Sequence, residues 1–173
     1  GTDRIFEAYK KISKKLSCEY IINLQGDEPF IDPKDIINLN KSVISKNSDI
    51  GTLGNKLTKF DFANNNIVKV ITEKNIIKKK ISRAKEFLRI CNHNKKNIFG
   101  HIGIYQFRTY ILEKFVDLKQ SKNEIKYKLE QLRALENGIN IDVVYSKNKS
   151  FGIDTVEDYV EIKKIMEYKI KKL

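Results

Sequence analysis

Tyr20-Ile21-Ile22-Asn23-Leu24-Gln25-Gly26-Asp27-Glu28-Pro29 carries the most information about the fold of this 173-residue chain. Its first five residues form a short apolar run, broken at once by Gly26 and closed by Pro29. A run of that length, bounded by breakers, predicts a buried strand that ends in a loop. On its amino-terminal side, Ile5, Ala8, Tyr9, Ile12 and Leu16 recur at helical spacing and predict an amphipathic helix over 3–16, with Thr2 to cap it and Asp3 at its positive end. On its carboxyl side, Pro33 suits the first turn of a second helix reaching about residue 45.

The same alternation continues. Strands are expected over 50–57, 67–72, 76–82, 98–107 and 141–145, with the pair 67–72 and 76–82 joined by a hairpin-like turn at Glu73-Lys74-Asn75. Residues 60–66 read as a turn or short helix, and 110–115 as a helix. The stretch 85–97, which ends in Asn94-Lys95-Lys96-Asn97, reads as irregular. A single helix is expected over 124–137, with Ile125, Leu129, Leu132 and Leu135 as its buried stripe and Gly138 as a left-handed cap. Thr155 with Asp158 opens the last helix. Strands alternating with helices indicate an α/β layered fold.

Composition narrows the class. The chain has 40% hydrophobic and 10% aromatic residues, enough for one domain with a real core. No apolar run is long enough to span a bilayer, so no membrane partner is expected. Cys18 and Cys91 have neither zinc nor disulfide-scaffold spacing, as expected in a reducing cytoplasm. The net charge of +12 comes from 34 basic and 22 acidic residues. The lysines are scattered and few of the basic residues are arginines, so they read as a solvated surface rather than a nucleic-acid face. Such a surface still attracts anionic small molecules.

Two aspartates stand out by position. Asp27 follows the buried strand, and Asp154, in Phe151-Gly152-Ile153-Asp154-Thr155, precedes the last helix. Ligands of open α/β sheets collect at the carboxyl ends of strands. Two carboxylates there could hold Mg²⁺, which takes oxygen ligands. Equally, both could serve only as turn or capping residues.

A set of ordered motifs goes further. Gln25-Gly26-Asp27-Glu28-Pro29, Gly1-Thr2-Asp3-Arg4, Ser82-Arg83-Ala84, Gly100-His101-Ile102-Gly103-Ile104-Tyr105, the run Leu129-Glu130-Gln131-Leu132-Arg133-Ala134-Leu135-Glu136-Asn137-Gly138, and Gly152-Ile153-Asp154-Thr155 with Glu157-Asp158 span the chain. Together they resemble the 3-deoxy-manno-octulosonate (Kdo) cytidylyltransferase family. The resemblance implies a three-layer sandwich with a mixed, mainly parallel sheet, like that of nucleotide-diphospho-sugar transferases. It implies transfer of CMP from CTP to the anomeric hydroxyl of Kdo, with release of pyrophosphate, for lipopolysaccharide synthesis. Asp27 and Asp154 would then be the catalytic Mg²⁺ ligands. Gln25, Arg83, His101, Tyr105, Glu130 and Gln131 would line the sugar-acid pocket, with Arg83 suited to the carboxylate. Arg4 would contact the nucleotide. The resemblance further implies a cytoplasmic homodimer.

The family's serine before Gly-Thr-Asp-Arg and its triphosphate-cradling loop are expected upstream of Gly1. Residues 1–173 would then be a single nucleotidyltransferase domain lacking its N-terminal nucleotide-binding segment, with a sheet incomplete at that end. Such a chain alone is expected not to turn over CTP, and to be poorly stable because of an exposed strand edge. Lys85-Glu86-Phe87 lacks the family's proline, Tyr127 replaces a family glutamate, and Val156 replaces a helix-starting proline. These departures keep two alternatives in view: a cytidylyltransferase for a related acid sugar, and a non-catalytic remnant of the family.

Overall fold

A computed structural model describes residues 1–91, 95–148, 152–153 and 155–170. Its elements run α1 (Thr2–Ser13), β1 (Tyr20–Asn23), α2 (Pro33–Lys46), β2 (Ile50–Asn55), α3 (Lys59–Ala63), β3 (Lys69–Thr72), α4 (Ile76–Lys79), β4 (Ile81–Leu88), β5 (Ile98–Arg108), α5 (Thr109–Asp117), α6 (Lys122–Tyr127), α7 (Gln131–Glu136), β6 (Ile141–Tyr145) and α8 (Val156–Ile170). None of the described helices is long and apolar enough to cross a membrane.

Local chemistry accounts for most element ends. Asp32 caps α2 by accepting from the Lys34 amide at 2.8 Å, Pro33 takes the first helical position, and Asn47 closes the helix in the left-handed region (φ 56°). Gly51 lies where α2 crosses β2. A Cβ there would come within 2.0 Å of Val43 Cγ2, so only glycine admits this approach. Gly138, at φ 71°, ends the run through α7 as expected.

The sheet is mixed, in the order β1-β5-β2-β6-β4-β3. It is not mainly parallel: among the described strands β2–β6 is the parallel pair, and the other pairings are antiparallel. Nor is it an open sheet. The long β5 pairs with β2 along one edge and divides its other edge between β1 (Tyr105–Arg108) and β3 (Ile98–Gly100). The β5–β3 contact joins the two ends of β5-β2-β6-β4-β3 into a closed ring. The exposed edge expected from the sequence is therefore confined, among the described strands, to β1, which pairs on one side only.

Helices cover both faces. Leu39 and Val43 of α2 pack on Leu53, Ile102, Ile104 and Val144. On the opposite face, Ile111, Leu112 and Phe115 of α5 and Ala134 of α7 pack with Ile50, Phe107, Ile141 and Val143.

Two expected elements differ. Residues 76–82 are not a hairpin strand, because the Asn75 side chain accepts from the amides of Ile77 and Lys78 and starts α4; β4 begins only at Ile81. It then runs to Leu88, through residues that read as irregular. The single helix over 124–137 is two helices broken at Lys128, which is left-handed at φ 54°. Ser121 and Glu124 form a capping box that starts α6 at Lys122, two residues ahead of the predicted start.

Candidate active site

One cleft of about 480 Å³ opens on the face of the sheet opposite α2. The β1–α2 loop supplies Gln25, Asp27 and Glu28, β5 supplies His101 and Tyr105, and the start of α7 supplies Glu130 and Gln131. Six of the sequence-derived positions, Gln25, Asp27, His101, Tyr105, Glu130 and Gln131, thus face, or stand beside, one space. Two do not line it: Arg4 is exposed on α1, and Arg83 is exposed on β4. The strand that carries Arg83 pairs it with Asp142 of β6, away from the cleft residues of β5. Asp154 lies outside the described residues.

A bulge in β5 shapes the floor. Thr52 pairs with Tyr105 and Leu53 with Ile102, so Gly103 and Ile104 are extra residues on the β5 side. The bulge leaves carbonyls to satisfy, and the fully buried Thr52 does so. Its hydroxyl lies 2.8 Å from Ile104 O, 3.2 Å from Ile102 O and 2.9 Å from His101 Nε2. A hydroxyl has one proton, and both carbonyls can only accept. With that proton given to a carbonyl, His101 must donate from Nε2, which leaves Nδ1 as an acceptor. Burial pushes the imidazole down to about 3, so it is neutral near pH 7. Phe87 meets the ring edge-on at 5.2 Å, and Tyr105 lies at 5.4 Å. Burial, and then the charge of Glu130, raises the Tyr105 phenol, which stays protonated as a donor.

The folded-state value of His101 lies below its ordinary 6.5, so its contribution to stability is complete above pH 6.5 and is lost as pH falls toward 3. His101→Gln is expected to flatten the dependence of unfolding free energy on pH across that window. Urea titrations at matched pH values check this, and identical slopes in the two proteins would refute it.

The loop residues are held by main chain. Ile153 N donates to Asp27 O at 2.9 Å, and Gly103 N donates to Glu28 Oε1 at 3.3 Å. Glu28 therefore braces the loop against the β5 bulge, while the Asp27 carboxylate is exposed at the mouth. Glu130 accepts from Thr2 Oγ1 at 2.8 Å.

The far wall was not legible in the sequence. Arg89, just beyond β4, donates from Nε to Tyr127 O (3.1 Å), from Nη2 to Lys128 O (3.3 Å) and from Nη1 to Asn65 O (3.5 Å). Two of these carbonyls are freed by the break between α6 and α7. Among the described residues, Arg89 is the one lysine or arginine that lines the cleft. Its partners lie 24 to 39 residues away, so no local pattern announces them. The buried pair Arg133–Glu124, with Nε to Oε2 at 2.8 Å, likewise joins α7 to α6 behind the cleft.

Comparison with known proteins identifies the family. The cytidylyltransferase family model matches residues 1–167. The chain belongs to the cytidylyltransferase family. Within that group, it is 43% identical over 169 residues to the 3-deoxy-manno-octulosonate cytidylyltransferase of Thermodesulfovibrio yellowstonii, covering 91% of this chain and 66% of the relative. The enzyme of the same name from Bartonella bacilliformis is 39% identical over 168 residues, covering 96% and 68%. This cytidylyltransferase chain thus spans about two thirds of the length of the curated relatives it matches. A solved CMP:2-keto-3-deoxy-manno-octonic acid synthetase complexed with CTP superposes with a TM-score of 0.82 at 28% identity, over 97% of this chain and 68% of that one. A UDP-glucose pyrophosphorylase complexed with UDP-glucose shares the fold at 15% identity, with a TM-score of 0.65 over 95% of this chain and 62% of that one.

Proposed function

We propose that the protein transfers CMP from CTP to the anomeric hydroxyl of Kdo. The observation that carries this reading is the lining of the cleft: one guanidinium, Arg89, and neutral hydrogen-bonding groups on Gln25, His101, Tyr105 and Gln131, alongside the carboxylates of Asp27, Glu28, Asp61 and Glu130. That set matches a sugar acid, with one carboxylate and several hydroxyls. Among the described residues, carbonyls use three of the five N–H groups of Arg89, and two remain for a carboxylate. Arg89 takes the part that the sequence motif suggests for Arg83. His101 Nδ1 accepts from a sugar hydroxyl, the Tyr105 phenol donates, and Glu130 accepts at the rim.

In the reaction, the anomeric oxygen attacks the α-phosphorus of CTP. The new O–P bond forms as the bond to pyrophosphate breaks, and the hydroxyl proton is lost to solvent. The residues bind and orient, as such transfers chiefly require. Arg4, exposed on α1, is assigned to the nucleotide.

Asp27 fits a magnesium ion. It is an exposed oxygen donor at the cleft mouth, and Mg²⁺ needs only one or two carboxylates besides phosphate oxygens and water. No group of three or more His, Cys, Asp or Glu suited to a metal occurs among the described residues. Asp154 is the second proposed ligand; support comes from the Ile153–Asp27 bond, one residue before it. When bound, the ion would neutralise phosphate charge and polarise the α-phosphate. A homodimer in the cytoplasm completes the proposal. Phe60 and Ile90, 87% and 73% exposed, offer apolar surface for an assembly to cover.

The test is direct. The native gene product, given CTP, Mg²⁺ and Kdo, is expected to yield a CMP-sugar phosphodiester and pyrophosphate in equal amounts by ³¹P NMR. Product only with a sialic-acid-like or amino-substituted acid would overturn the sugar assignment. CTP binding without turnover of any acid sugar would favour a non-catalytic remnant.

A further inference from the structure

Lys69 of β3 has no exposed surface, yet neither the motifs nor the cleft lining accounts for it. Burying an ammonium is costly unless its donors are satisfied. Here Nζ donates to Asn64 O at 2.5 Å and to Arg89 O at 2.9 Å. Both acceptors belong to the cleft wall. Asn64 lines the cleft, and its neighbour Asn65 accepts from Arg89 Nη1. One buried cation therefore grips the backbone of Arg89, while the Arg89 side chain grips the residue next to the cation's other acceptor. Loop, lysine and arginine form a closed loop of bonds, anchored at its far end to Tyr127 O and Lys128 O.

That arrangement does more than fill a core. A residue serving packing alone would be apolar, since an apolar side chain on β3 avoids the desolvation cost. An ammonium at this point fixes where the guanidinium stands. We propose that Lys69 is a positioning residue for carboxylate recognition, acting through Arg89. This rests on the sugar-acid reading of the cleft.

The experiment is a double-mutant cycle in the native gene product, with Lys69→Gln, Arg89→Ala and the pair, read as KM for Kdo and KM for CTP separately. Lys69→Gln is expected to raise KM for Kdo by roughly 10- to 100-fold, the scale of one charge-assisted contact, with KM for CTP unchanged within about twofold. The double variant is expected to have a KM for Kdo no higher than Arg89→Ala alone, because the lysine acts through the arginine. Multiplicative effects, or an equal rise in both KM values, would overturn the proposal. If Lys69→Gln does not fold, Lys69→Arg retains the charge and the donors and serves in the same cycle. A KM for Kdo there equal to wild type, despite Arg89 mobilised in its NMR side-chain signals, would refute the proposal as well. Wild type that turns over no Kdo defeats the sugar-acid reading itself, whereas active wild type with unaffected Lys69 variants defeats only this inference.

Discussion

Asp27→Asn is expected to lower turnover about a thousand-fold while leaving the protein folded. The metal role proposed for this carboxylate supplies several kcal/mol of charge stabilisation in the transition state, and each 1.4 kcal/mol or so is a factor of ten in rate. Asparagine keeps the shape but gives up the charge that a hard divalent cation demands. The fold has little stake in that charge. Asp27 is exposed, and its bond to Ile153 uses the backbone carbonyl, which the substitution retains. Stability is therefore expected to stay within about 0.5 kcal/mol of wild type. Two measurements check the point: kcat with saturating CTP and Kdo, and Mn²⁺ binding by electron paramagnetic resonance in the presence of CTP. Turnover within tenfold of wild type, or unaltered Mn²⁺ affinity, would remove Asp27 from the metal site.

Arg133→Met is expected to cost about 3–5 kcal/mol of unfolding free energy, the usual result of stranding one member of a buried ion pair. Arg133 and Glu124 are each about 95% buried, and the guanidinium meets the carboxylate through both Nε and Nη2 while stacking over the Phe115 ring at 4.7 Å. Glu124 has a further duty, since its carboxylate accepts from the Ser121 amide in the capping box of α6. Methionine fills the space but leaves that carboxylate buried without its cation. The companion variant Glu124→Gln with Arg133→Met is expected to regain much of the loss, because no net charge then stays buried. Urea denaturation of the two variants separates the cases. A single variant that loses under 1 kcal/mol would show that the pair carries little of the stability. Activity follows the same logic, for Glu130 and Gln131 stand at the start of the helix that Arg133 anchors.

What the sequence disclosed was what short range determines. The apolar run before Gly26, Pro33 behind its aspartate cap, and Gly138 each act within a few residues, and each element formed where those signals lie. The ordered motifs brought Gln25, Asp27, His101, Tyr105, Glu130 and Gln131 into view, and one cleft gathers them. The failures have a different range. Asn75 reads as a turn residue along the chain, although its side chain starts α4. The helical stripe from Ile125 to Leu135 continued in register across Lys128, so periodicity could not reveal a break stabilised by Arg89 from 39 residues away. Strand direction is likewise a matter of partners rather than propensity, so a mixed ring and a parallel sheet look alike along the chain. Thr52 and Lys69 were invisible for the same reason: a threonine and a lysine in strands are ordinary until their long-range acceptors are known.

The closed course of the sheet also constrains how the molecule can be made. β2 and β4 share no direct pairing; each meets β6, which ends at Tyr145. A nascent chain therefore has β1 through β5 synthesised before the strand that bridges β2 and β4 is made. Until then β2 and β4 each show an unsatisfied flank, the kind of surface that chaperones hold and that invites mispairing. Closure joins segments far apart along the chain, a topology associated with slow, late and concerted folding.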